Sequence, residues 1–281
     1  MTVAPEQYER WRRSALGEVT DRIEHALVLT LVGSLAGKRV LDVCCGDGVL
    51  AIAAAARGAQ VTGVDISQGM LDVAKERAAS QGVVLRLQQA DARALPFPDA
   101  SFDIALAMTS LCMVTDAEAA VKEMARVVVP GGRVVIGELG RLSLWAIWRS
   151  LRRMLGNATW RGARFWTARE LKALLRSAGL DPGTVRGAIY YPPVGPIARL
   201  CGPIDGLPRA ITTLGAAFLA AVGSKPPVVA SGEKTIVGMT RLILTDPSYG
   251  TLRSYNGLHL GGSLAKHEGQ DVPMEDRAWA K

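Results

Sequence analysis

From Lys38 onward the alternation of hydrophobic and polar positions changes character about every dozen residues. "KRVLDVC" is a short β-rich run, "VLAIAAAARGA" a small-residue helix and "QVTGVDIS" a second strand. "QGMLDVAKERAASQG" then spaces apolar and charged residues as a helix does, and it stops at a glycine suited to end one. "VVLRLQQAD" predicts a third strand and "FDIALAM" a fourth, fully buried one, a helix follows over 116–128, and "GGRVVIGEL" predicts a fifth strand. Strands alternating with helices over short links predict a parallel sheet covered on both faces.

Past Arg141 the rhythm breaks. "LSLWAIWRSLRRMLG" predicts a helix with Leu144, Ile147, Trp148, Leu151 and Leu155 on one stripe. Thr167 followed by Glu170 predicts a capped helix start, and the chain reads as a strand near 185–191. The stretch 192–227 is apolar but broken by proline and glycine, and "KTIVGMTRLIL" reads as one more strand. The expected organisation is a helical N-terminal arm (1–37), a Rossmann-like body (38–245) that includes a helical substrate cap (142–227), and a flexible tail (246–281). The expected sheet is seven-stranded and mostly parallel, with the last strand antiparallel.

The composition narrows the class. The 281 residues are 49% hydrophobic and 21% charged, which suits a sizeable core rather than a disordered chain. The net charge of +7 favours anionic partners without naming one. Aromatics at 5% are too few for a single-strand stacking platform, so no nucleic-acid partner is expected. No apolar run is long enough to span a bilayer, and the N-terminus lacks the apolar stretch of a secretory signal. Cys44, Cys45, Cys112 and Cys201 form no paired zinc pattern, so no metal is expected and a reducing, cytoplasmic compartment fits best.

The segment "VLDVCCGDGVLA" carries the most chemistry. An acid ends the first strand, and Gly46 and Gly48 then turn the chain closely enough for backbone to meet a ligand. A glycine turn alone also suits dinucleotide folds, which leaves an NAD-dependent oxidoreductase as an alternative. Asp42, however, stands before the glycines, where it would repel a pyrophosphate and welcome a cation. Asp65 ends the second strand, where ribose hydroxyls can donate to it, and Asp91 ends the third, where an exocyclic amine can. A nucleoside carrying an amine and a positive charge, as S-adenosylmethionine does, satisfies all three.

Together "VLDVCCGDG", "VTGVDIS", "DARALPFPDASFDIALAM" and "VVVPGGRVVIGEL" resemble the class I S-adenosylmethionine-dependent methyltransferases, in particular the ubiquinone/menaquinone-biosynthesis-like group. The resemblance runs over about 38–139. It implies that Asp42, Gly46 and Gly48 face the methionine part, Asp65 the ribose, and Asp91 with Ala92 the adenine. Ile66 and Met70 would pack on the adenosine, and Ala107 would lie near the amino-acid end. The chain departs from the family at Cys44, where Gly or Ala is usual, and in "MTSLCMVTD", where a histidine or acid is often found. Cys44 and Cys112 follow neighbouring strands, so a thiol or metalloid acceptor is an alternative, as is a non-catalytic cofactor-binding module. No catalytic base is visible.

The acceptor is expected to be a small hydrophobic, aromatic or lipid-like molecule. Tyr8, Trp11 and His25 before the first strand are candidates to line its site, with Tyr190 and Tyr191 in the cap. Arginines beside the apolar stripe, among them Arg149, Arg152 and Arg153, leave peripheral membrane contact open.

Overall fold

The computed structural model describes residues 5–155, 162–205 and 213–227, all within one unit spanning 1–230. In chain order the described elements are α1 (Pro5–Arg12), α2 (Ala15–Val32), β1 (Arg39–Val43), α3 (Val49–Ala55), β2 (Gln60–Asp65), α4 (Gln68–Ser80), β3 (Arg86–Gln89) and β4 (Phe102–Met108). They continue with α5 (Ala117–Val127), β5 (Val128–Leu139), α6 (Leu144–Met154), α7 (Ala168–Ser177), β6 (Asp181–Ala188), α8 (Gly195–Asp205) and β7 (Phe218–Ser224). The seven strands form one sheet in the order β3-β2-β1-β4-β5-β7-β6. β7 runs antiparallel to both its neighbours, and the other pairings are parallel.

The continuous apolar runs of the central strands are explained by the two cores they feed. Leu41 and Val43 of β1, Ala105 and Ala107 of β4, and Val134 and Ile136 of β5 enter one core, with Met124 of α5 and Leu175 of α7. Their alternates Val40, Ile104, Leu106 and Val135 enter the other, with Val28 of α2, Leu50 of α3 and Ala198 of α8. Leu41, Leu106 and Ile136 are wholly buried, each burial contributing roughly 1.5–3 kcal/mol before entropy is counted. Helix starts follow the capping expectation: the Thr167 hydroxyl accepts the Glu170 N–H while the Glu170 carboxylate accepts the Thr167 N–H at 2.8 Å.

The seventh strand corrects the sequence reading. "KTIVGMTRLIL" falls outside the described residues, as does the predicted tail, and the strand between β5 and β6 is β7, "FLAAVGS". Its alanines and glycine have little strand preference. Small side chains are nonetheless what the position requires, because a Cβ on Gly223 would stand 2.9 Å from Leu175 of α7 and 3.0 Å from Leu180. The described part of 142–227 is to a large extent sheet and its cover. β6 and β7 complete the sheet and α7 covers one of its faces, while α8 rests on α2.

Candidate active site

The strand order reverses between β1 and β4, and beyond the C-terminal ends of these strands lies a cleft of about 300 Å³. Its floor is the β1–α3 turn. Cys44, Gly46 and Gly48 have φ of 56°, 54° and 77°, the left-handed region that favours glycine. This accounts for the family's preference for a small residue where Cys44 stands. Cys45 N–H donates to Val64 O at 2.9 Å and Gly46 N–H to Asp65 Oδ2 at 3.0 Å, so the turn is tied to β2. A Cβ on Gly46 would meet no protein atom within 4 Å.

Around the floor stand the carboxylates. Asp42 is buried, and its Oδ2 has no hydrogen-bond partner among the described residues. Burial, and then the charge of Asp65, push its carboxyl up to about 7. Asp65 also accepts the Ser67 N–H at 2.9 Å. Asp91 accepts from the Arg93 guanidinium at 2.6 Å, which holds its carboxyl below the usual range. Ile66, Met70 and Ala92 complete this side. The opposite wall is the β4–α5 connection, from Met108 to Thr115, with Met113 and Val114 as apolar lining.

Two predicted cofactor positions belong beneath the cleft rather than in its lining. Gly48 is needed because a Cβ there would lie 2.8 Å from Ala74 of α4, and Ala107 is buried in the sheet core, leaving Met108 to face the cleft. The acceptor candidates are corrected further. Arg12, not Trp11, lines the cleft, and the Tyr8 side chain lies outside the described residues. Tyr191 is buried, with its hydroxyl 3.0 Å from Thr20 Oγ1, and Tyr190 packs against the sheet core. Cys112 is buried away from the cleft with its N–H on Glu138 Oε2 at 3.2 Å. Cys44 does line the cleft, but burial pushes its thiol up to about 12. Cys44 and Cys112, the two thiols expected to share one site, therefore do not face the same cleft.

Three charged positions were not anticipated. Asp47 is a clasp: its Oδ2 accepts from Arg12 of α1 and, at 3.0 Å, from Arg77 of α4. Arg12 also donates to Asp21 Oδ2 at 2.7 Å, and the same oxygen stands 3.1 Å from His25 Nδ1. Burial alone would raise the Asp21 carboxyl, but His25 and Arg12 outweigh it and hold the group below its ordinary value. Glu138, at the end of β5, accepts the N–H groups of Ser110, Leu111 and Cys112 at 3.1, 2.8 and 3.2 Å, and so shapes the opposite wall. An acid inside "VVIGEL" was the available signal for Glu138. Nothing in "ERWRRS" distinguishes Arg12 from its neighbours.

A family described as "Methyltransferase domain" matches residues 41–136. The ubiquinone biosynthesis O-methyltransferase of Aeromonas salmonicida is 36% identical over 167 residues, covering 57% of this chain and 70% of that protein. The chain belongs to the class I S-adenosylmethionine-dependent methyltransferases. The demethylmenaquinone methyltransferase of Thermus thermophilus is 37% identical to this methyltransferase over 131 residues, 46% of the chain and 54% of the relative. A solved S-adenosylmethionine-dependent methyltransferase of Thermotoga maritima superposes with a TM-score of 0.61 at 26% identity, covering 78% of this chain and 95% of its own. These findings set aside the oxidoreductase and non-catalytic alternatives.

The cleft of this methyltransferase fits its cofactor. The unpartnered Asp42 oxygen suits a cationic donor, and the open space at Gly46 admits a ligand against the backbone.

Proposed function

We propose that this methyltransferase methylates a hydroxyl oxygen on a small hydrophobic acceptor of the quinol or catechol type. His25 facing the cleft with Asp21 at its Nδ1 carries the reading. Its Nε2 makes no hydrogen bond among the described residues, so with Nδ1–H turned to Asp21 the free nitrogen can take a hydroxyl proton. The apolar wall of Met108, Met113 and Val114 suits an aromatic ring. The names of the quinone-biosynthesis relatives support the same acceptor class.

S-adenosylmethionine, when bound, supplies a methyl group already activated by its positively charged sulfur. We assign its binding to Asp42, Cys44, Gly46, Asp65, Ile66, Met70, Asp91 and Ala92. Arg12 is the cation at hand for a carboxylate. The chain's further contribution is to hold the acceptor oxygen in line and remove its proton at His25 Nε2. Alignment can supply on the order of 7–11 kcal/mol, and a positioned base about 10²–10⁴-fold.

Labelled methyl donor offered with catechol-type, amine and thiol acceptors tests this reading. Label is expected on oxygen, and His25→Gln should lower kcat by about 10²–10⁴-fold while cofactor affinity stays within about twofold. A full-rate His25→Gln enzyme, or label found only on nitrogen or sulfur, would overturn it.

A further inference from the structure

In an ordinary surface helix the apolar stripe faces the core and the charges face water. α6 is turned the other way. Ile147 and Leu151 of its stripe are exposed, while Trp145, Ala146 and the charged Arg149 are buried. Contacts of the inner face fix this orientation. Trp145 Nε1 donates to Tyr191 O at 2.8 Å, and the Arg149 guanidinium lies 4.9 Å from the Trp145 ring centre. A cation is thereby carried into the interior, where a polar face of α2 meets it.

That face is Thr20, Asp21 and Glu24, all buried. Thr20 Oγ1 stands 3.0 Å from the Tyr191 hydroxyl, and Asp21 serves Arg12 and His25. The Glu24 side chain, at 5% exposure, makes neither a hydrogen bond nor an ion pair among the described residues. Its helix neighbours Ile23 and Val28 enter an apolar core. An apolar side chain at position 24 would spare the several kcal/mol that burying a charged carboxylate costs. The fold alone therefore gives no reason for an acid there.

The charged groups that face Glu24 are Asp21 on its own helix, Arg149 of α6 and Glu138 of β5, and the next residue in the chain is His25. Asp21 and Glu24 stand one helical turn apart and are driven in opposite directions. His25 and Arg12 hold Asp21 below its ordinary value, whereas burial and the charge of Asp21 push Glu24 up to about 8. Two neighbouring carboxyls with separated ionisation divide the work of one site. Asp21 is also overcommitted: its Oδ2 takes Arg12 at 2.7 Å as well as His25 at 3.1 Å. When the imidazole is protonated, one negative charge is shared between two cations.

We infer that Glu24 is a positioning residue for His25, supplying the second negative charge that the imidazolium needs during turnover, with Arg149 as the fixed cation that lets it ionise in the interior. The inference rests on the reading of His25 as the base. The acceptor's hydroxyl proton goes to His25 Nε2, and Glu24 acts by its charge without touching the acceptor. Because Glu24 is neutral below about 8 and charged above it, its support for His25 grows with pH.

Two measurements on the full chain test this. In NMR spectra the His25 ring signals, assigned by their loss in His25→Gln, should show an inflection near pH 8 that reports Glu24 and that Glu24→Gln removes. In assays with a catechol-type acceptor and saturating cofactor, native kcat should climb through that pH by roughly three- to tenfold more than kcat of Glu24→Gln. That is the return when a base gains about tenfold in strength and the proton is partly transferred. The deficit should shrink toward pH 6, acceptor KM should stay within about twofold, and Glu24→Asp, which keeps an ionisable group, should restore the climb. A native His25 spectrum with no such inflection, or a folded Glu24→Gln enzyme with the native pH profile, would overturn the inference while leaving His25 as the base. A loss of kcat equal at every pH would mark a packing defect and overturn it too. A full-rate His25→Gln enzyme would strike the base assignment, and this inference with it.

Discussion

Asp42 and Glu138 stand near the ends of β1 and β5, on either side of β4, and invite comparison. Both are buried, and burial pushes both carboxyls up to about 7. Glu138 has its oxygens filled by three backbone N–H groups of the β4–α5 connection. Asp42 keeps Oδ2 without a partner among the described residues, beside the cleft. The difference separates two uses of one chemical group. A buried acid satisfied by its own chain builds a wall, whereas a buried acid left partly unsatisfied costs stability that a bound cation can restore.

The largest effect expected from this contrast is on folding. Glu138→Ala leaves three buried N–H groups without acceptors and should cost about 3 kcal/mol or more in a denaturant titration, whereas Asp42→Ala should cost far less or even stabilise the protein without cofactor. Equal losses at the two sites would break the comparison.

Cofactor binding should reverse the ranking. Asp42→Asn is expected to weaken S-adenosylmethionine by about 1.5–3 kcal/mol, the range for hydrogen bonds to a charged group, in calorimetry. Glu138→Gln, which keeps one acceptor oxygen, should bind the cofactor with nearly native affinity.

The pH dependence sharpens the contrast further. Each carboxyl is raised in the folded protein, so its contribution is fully present below the ordinary carboxylate range and is lost as pH rises through about 7. Glu24, pushed up to about 8 by burial and by the charge of Asp21, extends the window upward. Melting temperature should therefore fall from pH 5 to pH 8, by at most about 1.4 kcal/mol of stability per pH unit for each group. Glu24→Gln and Glu138→Gln should each flatten the curve. Excess S-adenosylhomocysteine should flatten the Asp42 contribution alone.

The parts of the molecule legible in the sequence are those specified by short-range pattern. β1, β2, β4 and β5 are largely buried on both faces, so their side chains announce themselves, and Gly46 marks a turn in the left-handed region that favours glycine. β7 was not legible because its Gly223 answers to Leu175 and Leu180, remote in the chain, rather than to any strand preference. For α6 the periodicity identified a stripe but not the direction it faces, which Trp145, Arg149 and Tyr191 decide together. Tyr190 and Tyr191 were aromatic residues in a broken apolar stretch, and only the packing of Thr20 and Trp145 on Tyr191 shows that they serve the core. Arg12 and His25 reach the cleft because α1 and α2 fold over it, which no local pattern records.

The reversal of β7 has an evolutionary consequence. By turning the chain back between β5 and β6, it brings α8 against α2, so a helix from before the first strand rests on one from near the end of the described chain. A lineage could lengthen the β6–α8 connection, or exchange residues along α2, without shifting the hydrogen-bonded register of β1, β2 and β4. The part of the cleft that α1 and α2 cover is thus free to drift at a different rate from its floor. Duplicated copies of such a gene could diverge toward new acceptors while inheriting one unaltered methyl donor.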